Sequence, residues 1–221
     1  MKIVFDSGVL ISFSETCFID LFSKLQENLG EFIITESVKY ESIDRAKNIM
    51  RFKLSSKRIE SVINKSFSIF KSTPELKETT KKIMDLANSM FLVKGNYLKI
   101  IHLGEAESMA LLALTNANYL AVDERTTRML IEQPHTLVNI FKRKHNTNKI
   151  KFDEQKYLEF KKIIGNINCV RSVDFFAYAC KHNLANPMYE SKDIVKAVLF
   201  ALKFRGCSVS FEEINKYVDG L

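Results

Sequence analysis

The chain has 221 residues, 46% of them hydrophobic and 11% aromatic, which is enough for one substantial domain or two small ones with a real core and excludes a low-complexity chain. Its 33 Lys and Arg against 26 Asp and Glu leave a net charge of +7, compatible with a polyanionic partner without demanding one. Four scattered cysteines (Cys17, Cys169, Cys180, Cys207) lack C-x-x-C spacing, the four histidines are not in ligand spacing with them, and no apolar run reaches membrane length. These features argue against a zinc site and a membrane protein, and for a folded, soluble protein of the reducing cytoplasm.

KIVF, immediately before Asp6, reads as a buried strand, and the apolar GVLISF continues straight after it. SETCFIDLFSKLQENLG places Cys17, Phe18, Leu21, Phe22 and Leu25 at helical spacing and stops at Gly30. EFIIT (Glu31 to Thr35) is the second strand, and ESVKYESIDRAKNIM follows as a helix with an acidic first turn. KLSSKRIESVINKSFSIFKS is serine- and lysine-rich without a clean period. PELKETTKKIMDLANSMF opens a helix on proline, YLKII (Tyr97 to Ile101) is strand-like, and EAESMALLALTNAN is a small, apolar helix suited to packing on a sheet. NYLAV before Asp123 and NINCV before Arg171 complete the strands.

Strands alternating with helices predict an α/β fold, a three-layer sandwich around a mainly parallel sheet. The whole chain, 1–221, reads as a single domain. Residues 133–162 are its most basic part and read as an insertion or helical excursion, and 169–221 supply a last strand and closing helices.

Asp6 and Asp123 each follow an apolar run, so both should emerge at the carboxyl ends of parallel strands, the edge where open α/β sheets bind ligands. Glu105 and Glu107 open the small-residue helix, and Glu41 lies about one and a half turns into the helix after EFIIT. If the five acids converge, an apo site would raise their pKa values or hold a cation, because two carboxylates ~4 Å apart repel by about 4 kcal/mol at an effective dielectric near 20. Oxygen-only ligands select Mg²⁺ or Mn²⁺, the ions of in-line phosphodiester cleavage. Taken one at a time, the same residues also read as helix caps (Asp6, Asp123), helix-dipole partners (Glu105, Glu107) and a solvated surface acid (Glu41).

In order and spacing, IVFDSGVLI, IITESVKYE, HLGEAESMALLAL and YLAVDERTTR resemble the four motifs of the PIN-domain nucleases, over Met1 to about Arg128. The resemblance implies a PIN-like fold and a divalent-metal-dependent endoribonuclease. It assigns Asp6, Glu41, Glu105 and Asp123 as catalytic metal ligands, with Ser7 orienting the first carboxylate or a phosphate oxygen. The Glu105 and Glu107 pair is closer to the E-A-E of the related flap endonucleases, which makes Glu107 a shared or supporting ligand. RNA is the implied substrate, and a homodimer and an antitoxin-like protein partner are left open. The alternative from another class is a PIN-like module that binds nucleic acid or protein with little or no catalysis. Arg125 and Arg128, just beyond Asp123, and Lys142, Arg143 and Lys144 in the basic segment are candidate phosphate contacts; a solvated helix face and pairing with nearby acids are the plain readings of the same residues.

Overall fold

The structure, a computed structural model, describes residues 1–117, 119–186, 189 and 191–220. Asn118 of the NYLAV run and four positions of the C-terminal segment (187, 188, 190 and 221) fall outside them.

The chain forms β1 (Lys2–Phe5), α1 (Ser7–Glu15), α2 (Leu21–Leu29), β2 (Glu31–Thr35) and α3 (Glu36–Lys39). A π-helical turn over Tyr40–Arg45 and two short 3₁₀ turns lead into α4 (Lys53–Ser66), β3 (Ser68–Phe70), α5 (Pro74–Ala87), β4 (Phe91–Val93) and β5 (Asn96–Tyr97). Then come α6 (Leu103–Thr115), β6 (Tyr119–Ala121), α7 (Arg125–Glu132), α8 (Pro134–Lys144), β7 (Ile150–Phe152), α9 (Glu154–Ile164) and β8 (Asn168–Val170), closed by α10 (Ser172–Lys181), α11 (Lys192–Phe204) and α12 (Phe211–Asp219). No helix among the described residues is long and apolar enough to cross a membrane.

Five strands form one parallel sheet in the order β3-β2-β1-β6-β8. Its central strands are apolar except at their ends, because both faces are covered. The period of two is still visible in where each side chain goes. Ile3, Phe5, Phe32 and Ile34 enter a core shared with α1, α2, α4 and α10 to α12, whereas Val4, Ile33 and Leu120 enter the opposite core with α5 to α9. Phe5 is the hub of the first core: its ring centroid lies 4.7 to 5.5 Å from those of Phe22, Phe32, Phe67 and Phe175.

Three expected elements differ. The helix expected from Ser14 to Gly30 is two helices, because α1 starts at Ser7 and ends at Glu15, and Cys17 reverses the chain at φ 65°. Phe18 then bonds back through its amide to the Phe13 carbonyl (2.8 Å), and the break lets Phe13 and Phe22 stack at 4.6 Å. The helix expected after EFIIT keeps α-helical form only over Glu36–Lys39 before it widens into the π-helical turn. YLKII is not a sheet strand: only Asn96–Tyr97 pairs, and Ile100 and Ile101 run as an extended segment whose amides donate to Asn88 Oδ1 at 2.7 and 3.0 Å.

The basic segment is built into the molecule. β7 pairs antiparallel with β4 in a second, three-stranded sheet of order β5-β4-β7, and Phe141, Phe160 and Ile164 enter the second core.

Candidate active site at the carboxyl edge of the sheet

Asp6 is the first residue beyond β1. Its amide still donates to the Ala121 carbonyl (2.9 Å), holding it in line with β6, while its Oδ2 accepts from the Gly8 amide (3.2 Å) and so caps α1. The cap role and the site role fall on one carboxylate, which is buried. Asp123, beyond β6, is buried as well, but it does not cap the helix that follows it. Glu124 does that, accepting from the Thr127 amide (2.7 Å). The two Asp123 oxygens are thereby left for partners far away in sequence: Oδ2 accepts from the Ser12 hydroxyl and Oδ1 from the Ser172 amide at the start of α10, both at 2.8 Å.

Glu105 lies in the first turn of α6. Its Oε2 accepts from the His102 amide, and its Oε1 accepts from the Thr127 hydroxyl, both at 2.6 Å. Glu41 comes from the π-helical turn, a distortion recurrent at functional sites, and its Oε2 accepts from the Ser7 hydroxyl (3.1 Å). Ser7 therefore orients Glu41.

Asp6, Ser7, Glu41, Glu105 and Asp123 line one cavity of ≈ 370 Å³. Two glycines let them approach. A Cβ on Gly104 would stand 3.3 Å from Glu41 Oε2 and 3.8 Å from Asp6 Oδ1, and one on Gly8 would stand 3.3 Å from Asp6 Oδ2. Glu107, two residues along α6 from Glu105, does not line this cavity but the neighbouring ones. The helical turn accounts for that, since residues two apart do not share a face.

The electrostatics follow from burial and like charge. Burial pushes the Asp6 carboxyl up to about 7, reinforced by Glu105 and Glu41 and opposed by the Gly8 amide. Glu105 is also raised, by burial, against the Thr127 and His102 hydrogen bonds. The cavity wall carries these four acids and Glu124, with Arg205 its one guanidinium among the described residues, and Arg205 is paired to Glu15 at 2.8 Å. Such a wall favours a cation. Yet among the described residues no three His, Cys, Asp or Glu side chains form a ready metal cage. Both oxygens of Asp123 and of Glu105 already accept one hydrogen bond each.

Compared with family models, curated proteins and solved structures, the chain matches none.

The basic candidates lie apart from the acids. None of Arg125, Arg128, Lys142, Arg143 and Lys144 lines the carboxylate cavity. Arg125 is exposed at the start of α7. Arg128 turns toward the C-terminal segment, where its Nη2 donates to the Ser208 carbonyl at 3.4 Å. Lys142, Arg143 and Lys144 form the last turn of α8, where they also complement the helix dipole. The sequence did not mark Ser12, Thr127, Ser172 or Arg205. Ser12 and Thr127 carry no signal beyond ordinary helix residues, and Ser172 and Arg205 come from the far end of the chain.

Proposed function

We propose that the protein is a divalent-metal-dependent endoribonuclease whose reaction takes place in the carboxylate cavity. The observation that carries this is the meeting of Asp6, Glu41, Glu105 and Asp123, from four separate elements, in one cavity at the carboxyl edge of a parallel sheet. The residues suit the metal in three respects: the donors are all oxygen, the wall is strongly acidic, and Gly8 and Gly104 leave open the space beside Asp6 and Glu41 that a side chain would fill. The lack of a closed cage is compatible with Mg²⁺, which keeps several waters and is commonly bound by one or two carboxylates together with substrate phosphate.

Asp6 and Glu41 would hold the ion directly, with Glu105 and Asp123 as the further acids, and a bound Mg²⁺ or Mn²⁺ supplies charge neutralisation at the phosphate and an acidified water. The rest falls to the chain itself. Ser7 fixes Glu41, Ser12 and the Ser172 amide fix Asp123, and Thr127 fixes Glu105, so the acids are held by partners rather than left to move. Arg205 places a positive charge on the same wall, where a scissile phosphate would need one. RNA is named as substrate from the motif resemblance. The absence of a ready metal cage among the described residues favours the second reading, a nucleic-acid-binding module with feeble catalysis.

Cleavage decides between the two. With a mixed pool of single-stranded and structured RNAs, Mn²⁺ is expected to elicit cutting that a chelator abolishes, and millimolar Mn²⁺ is expected to raise the melting temperature by relieving repulsion present only in the folded site. RNA binding without cutting, together with a melting temperature indifferent to Mn²⁺, would leave the binding module.

The basic turn of α8 gives a further expected result. Alanine at Lys142, Arg143 and Lys144 together should weaken RNA binding and make its salt dependence shallower by about 2 in log–log slope, at roughly 0.7 per phosphate contact, with an unchanged melting curve. An identical slope in a salt titration would assign the three residues to a solvated helix end.

A further inference from the structure

The junction of α11 and α12 carries aromatic side chains that the core does not use. Phe204, the last residue of α11, is 74% exposed, and Phe211, the first of α12, is 52% exposed. The half-buried Phe200 joins them, its ring centroid 6.3 Å from that of Phe204 and 5.3 Å from that of Phe211. Phe200 packs in turn against the first core, so the group is anchored. Single exposed apolar residues are ordinary, but a joined aromatic group on the surface marks a place of interaction.

Position and charge indicate what binds there. Phe204 is followed directly by Arg205 and Gly206, which line the carboxylate cavity, and adjacent Cα atoms stand only ~3.8 Å apart. The aromatic group therefore lies at the rim of that cavity. α11 carries Lys192, Lys196 and Lys203 against Asp193 as its single acid, and Lys203 Nζ stands over the Phe211 ring, 4.6 Å from its centroid. Glu212, next to Phe211, is paired with Lys216 at 3.5 Å. Aromatic faces with a surplus of cations suit a polyanion that has flat faces of its own, which is an unpaired nucleic-acid strand. A second copy of the chain fits less well, because it would set the same surplus of lysines against this one.

We propose that Phe204, backed by Phe200 and Phe211, is a stacking platform for an unpaired base of the RNA strand whose scissile phosphate lies in the carboxylate cavity. The proposal rests on the endoribonuclease reading of that cavity. Stacking needs an open ring face, which Phe204 has, and it is tolerant of base identity because every base has a π-face. It selects strandedness instead. In a duplex the base faces are already stacked on their neighbours, and unstacking them costs what the platform would gain. Phe204 is thus a positioning residue that holds the strand at the rim and takes no part in the chemistry at the phosphate.

The test is equilibrium binding in chelator, so that no metal takes part, with fluorescent RNAs of about eight nucleotides. Phe204→Ala should bind the single strand about tenfold more weakly than the wild type, and Phe204→Tyr, which keeps the ring, should stay within about twofold of it. The loss should leave the salt slope unchanged, because no cation is removed, and should vanish for the same sequence presented as a duplex. Phe204→Leu guards against a packing effect: it keeps an apolar side chain without a flat face, so it should lose binding as the alanine variant does while melting like the wild type. Wild-type affinity in Phe204→Ala or Phe204→Leu, an equal loss on the duplex, or no detectable binding of any oligomer would each overturn the proposal. So would a wild-type dimer in sedimentation that Phe204→Ala turns into a monomer, which would make the rings a self-association surface. Adding Mn²⁺ separates the two readings. A Phe204-dependent affinity without cleavage would sink the nuclease but not the platform, and chelator-sensitive cleavage that is unaltered in Phe204→Ala at subsaturating RNA would do the reverse.

Discussion

Asp6→Asn is expected to stop RNA cleavage and, in metal-free buffer near pH 8, to raise the melting temperature. The side chain keeps its shape and its Oδ acceptor for the Gly8 amide, so the α1 cap survives. What it loses is the charge. Supporting partners of metal ligands are worth 10- to 100-fold each, so removal of a ligand charge itself should lower cleavage by at least ~10²-fold. The stability gain follows from linkage. The folded carboxyl titrates at about 7 against 3.8 for the ordinary group. Between those values the folded protein holds a proton that the unfolded chain has released, so stability falls as pH rises through the window, and above it the penalty is complete. At 1.36 kcal/mol per pKa unit the penalty is at most roughly 4 kcal/mol, and asparagine removes it. Melting curves of both proteins from pH 4 to pH 8 should therefore converge at the acid end and separate toward the basic end, with Mn²⁺ restoring the wild type alone. If Asp6→Asn melts lower at pH 8, or cuts RNA as well as the wild type, Asp6 is only a cap.

Arg171 is the second position where a large effect is expected, this time on folding. Its buried guanidinium donates to Asp174 (3.2 Å), Glu213 (2.8 Å), the Tyr217 hydroxyl (2.9 Å) and the Ser208 carbonyl (2.9 Å), so one residue fastens α10 to α12 and to the segment before it. Tyr217 in turn donates to Asp174. The fork reaches four acceptors at once, a geometry that lysine does not reproduce. Arg171→Met should cost about 3 kcal/mol, toward the lower end for a broken buried ion pair because Asp174 and Glu213 keep partial access to water, and should lower the melting temperature by roughly 10 °C. The acid side of the stability profile should move too. Glu213 is pushed up by burial but held down to about 2 by the Ser210 amide and Arg171, against 4.5 for the ordinary group. Its contribution is present above about 4.5 and lost as pH falls toward about 2, so the variant should show a weaker loss over that interval. Arg171 also stands beside the carboxylate cavity: the Ser172 amide holds Asp123 Oδ1, and the Ser208 amide donates to the Asp123 carbonyl at 3.0 Å. Cleavage by the folded fraction should therefore drop in Arg171→Met as well. A variant with wild-type melting and pH profile would show that the network contributes nothing measurable.

The strands that carry the site were legible in the sequence, because KIVF, EFIIT and NYLAV are apolar runs bounded by polar residues. Asp6 and Asp123 could be placed by nothing more than their position after such runs. β3 escaped notice: three residues long, at the sheet edge and set in a serine- and lysine-rich stretch, it has neither the length nor the burial to leave a pattern. YLKII misled for the opposite reason. Ile100 and Ile101 are buried as strand residues would be, but the Asn88 side chain satisfies their amides in place of a ladder, and the sequence does not distinguish these partners. The carboxylates' supporting groups were illegible on the same ground. The Ser12 hydroxyl and Ser172 amide meet at Asp123 only because β1, β6 and β8 lie side by side, and no local pattern records that.

The place of β1 in the middle of the sheet has a consequence for how the protein is made. β1 leaves the ribosome shortly before β2, but its other neighbour, β6, emerges more than a hundred residues later, and Asp123 waits longer still for its Ser172 and Ser208 partners. At about 5 to 20 residues per second, the nascent chain spends roughly 10 to 30 s with Asp6 and Glu41 already outside the ribosome and the cavity still incomplete. The four acids therefore do not meet in one cavity until long after the first two of them have left the ribosome.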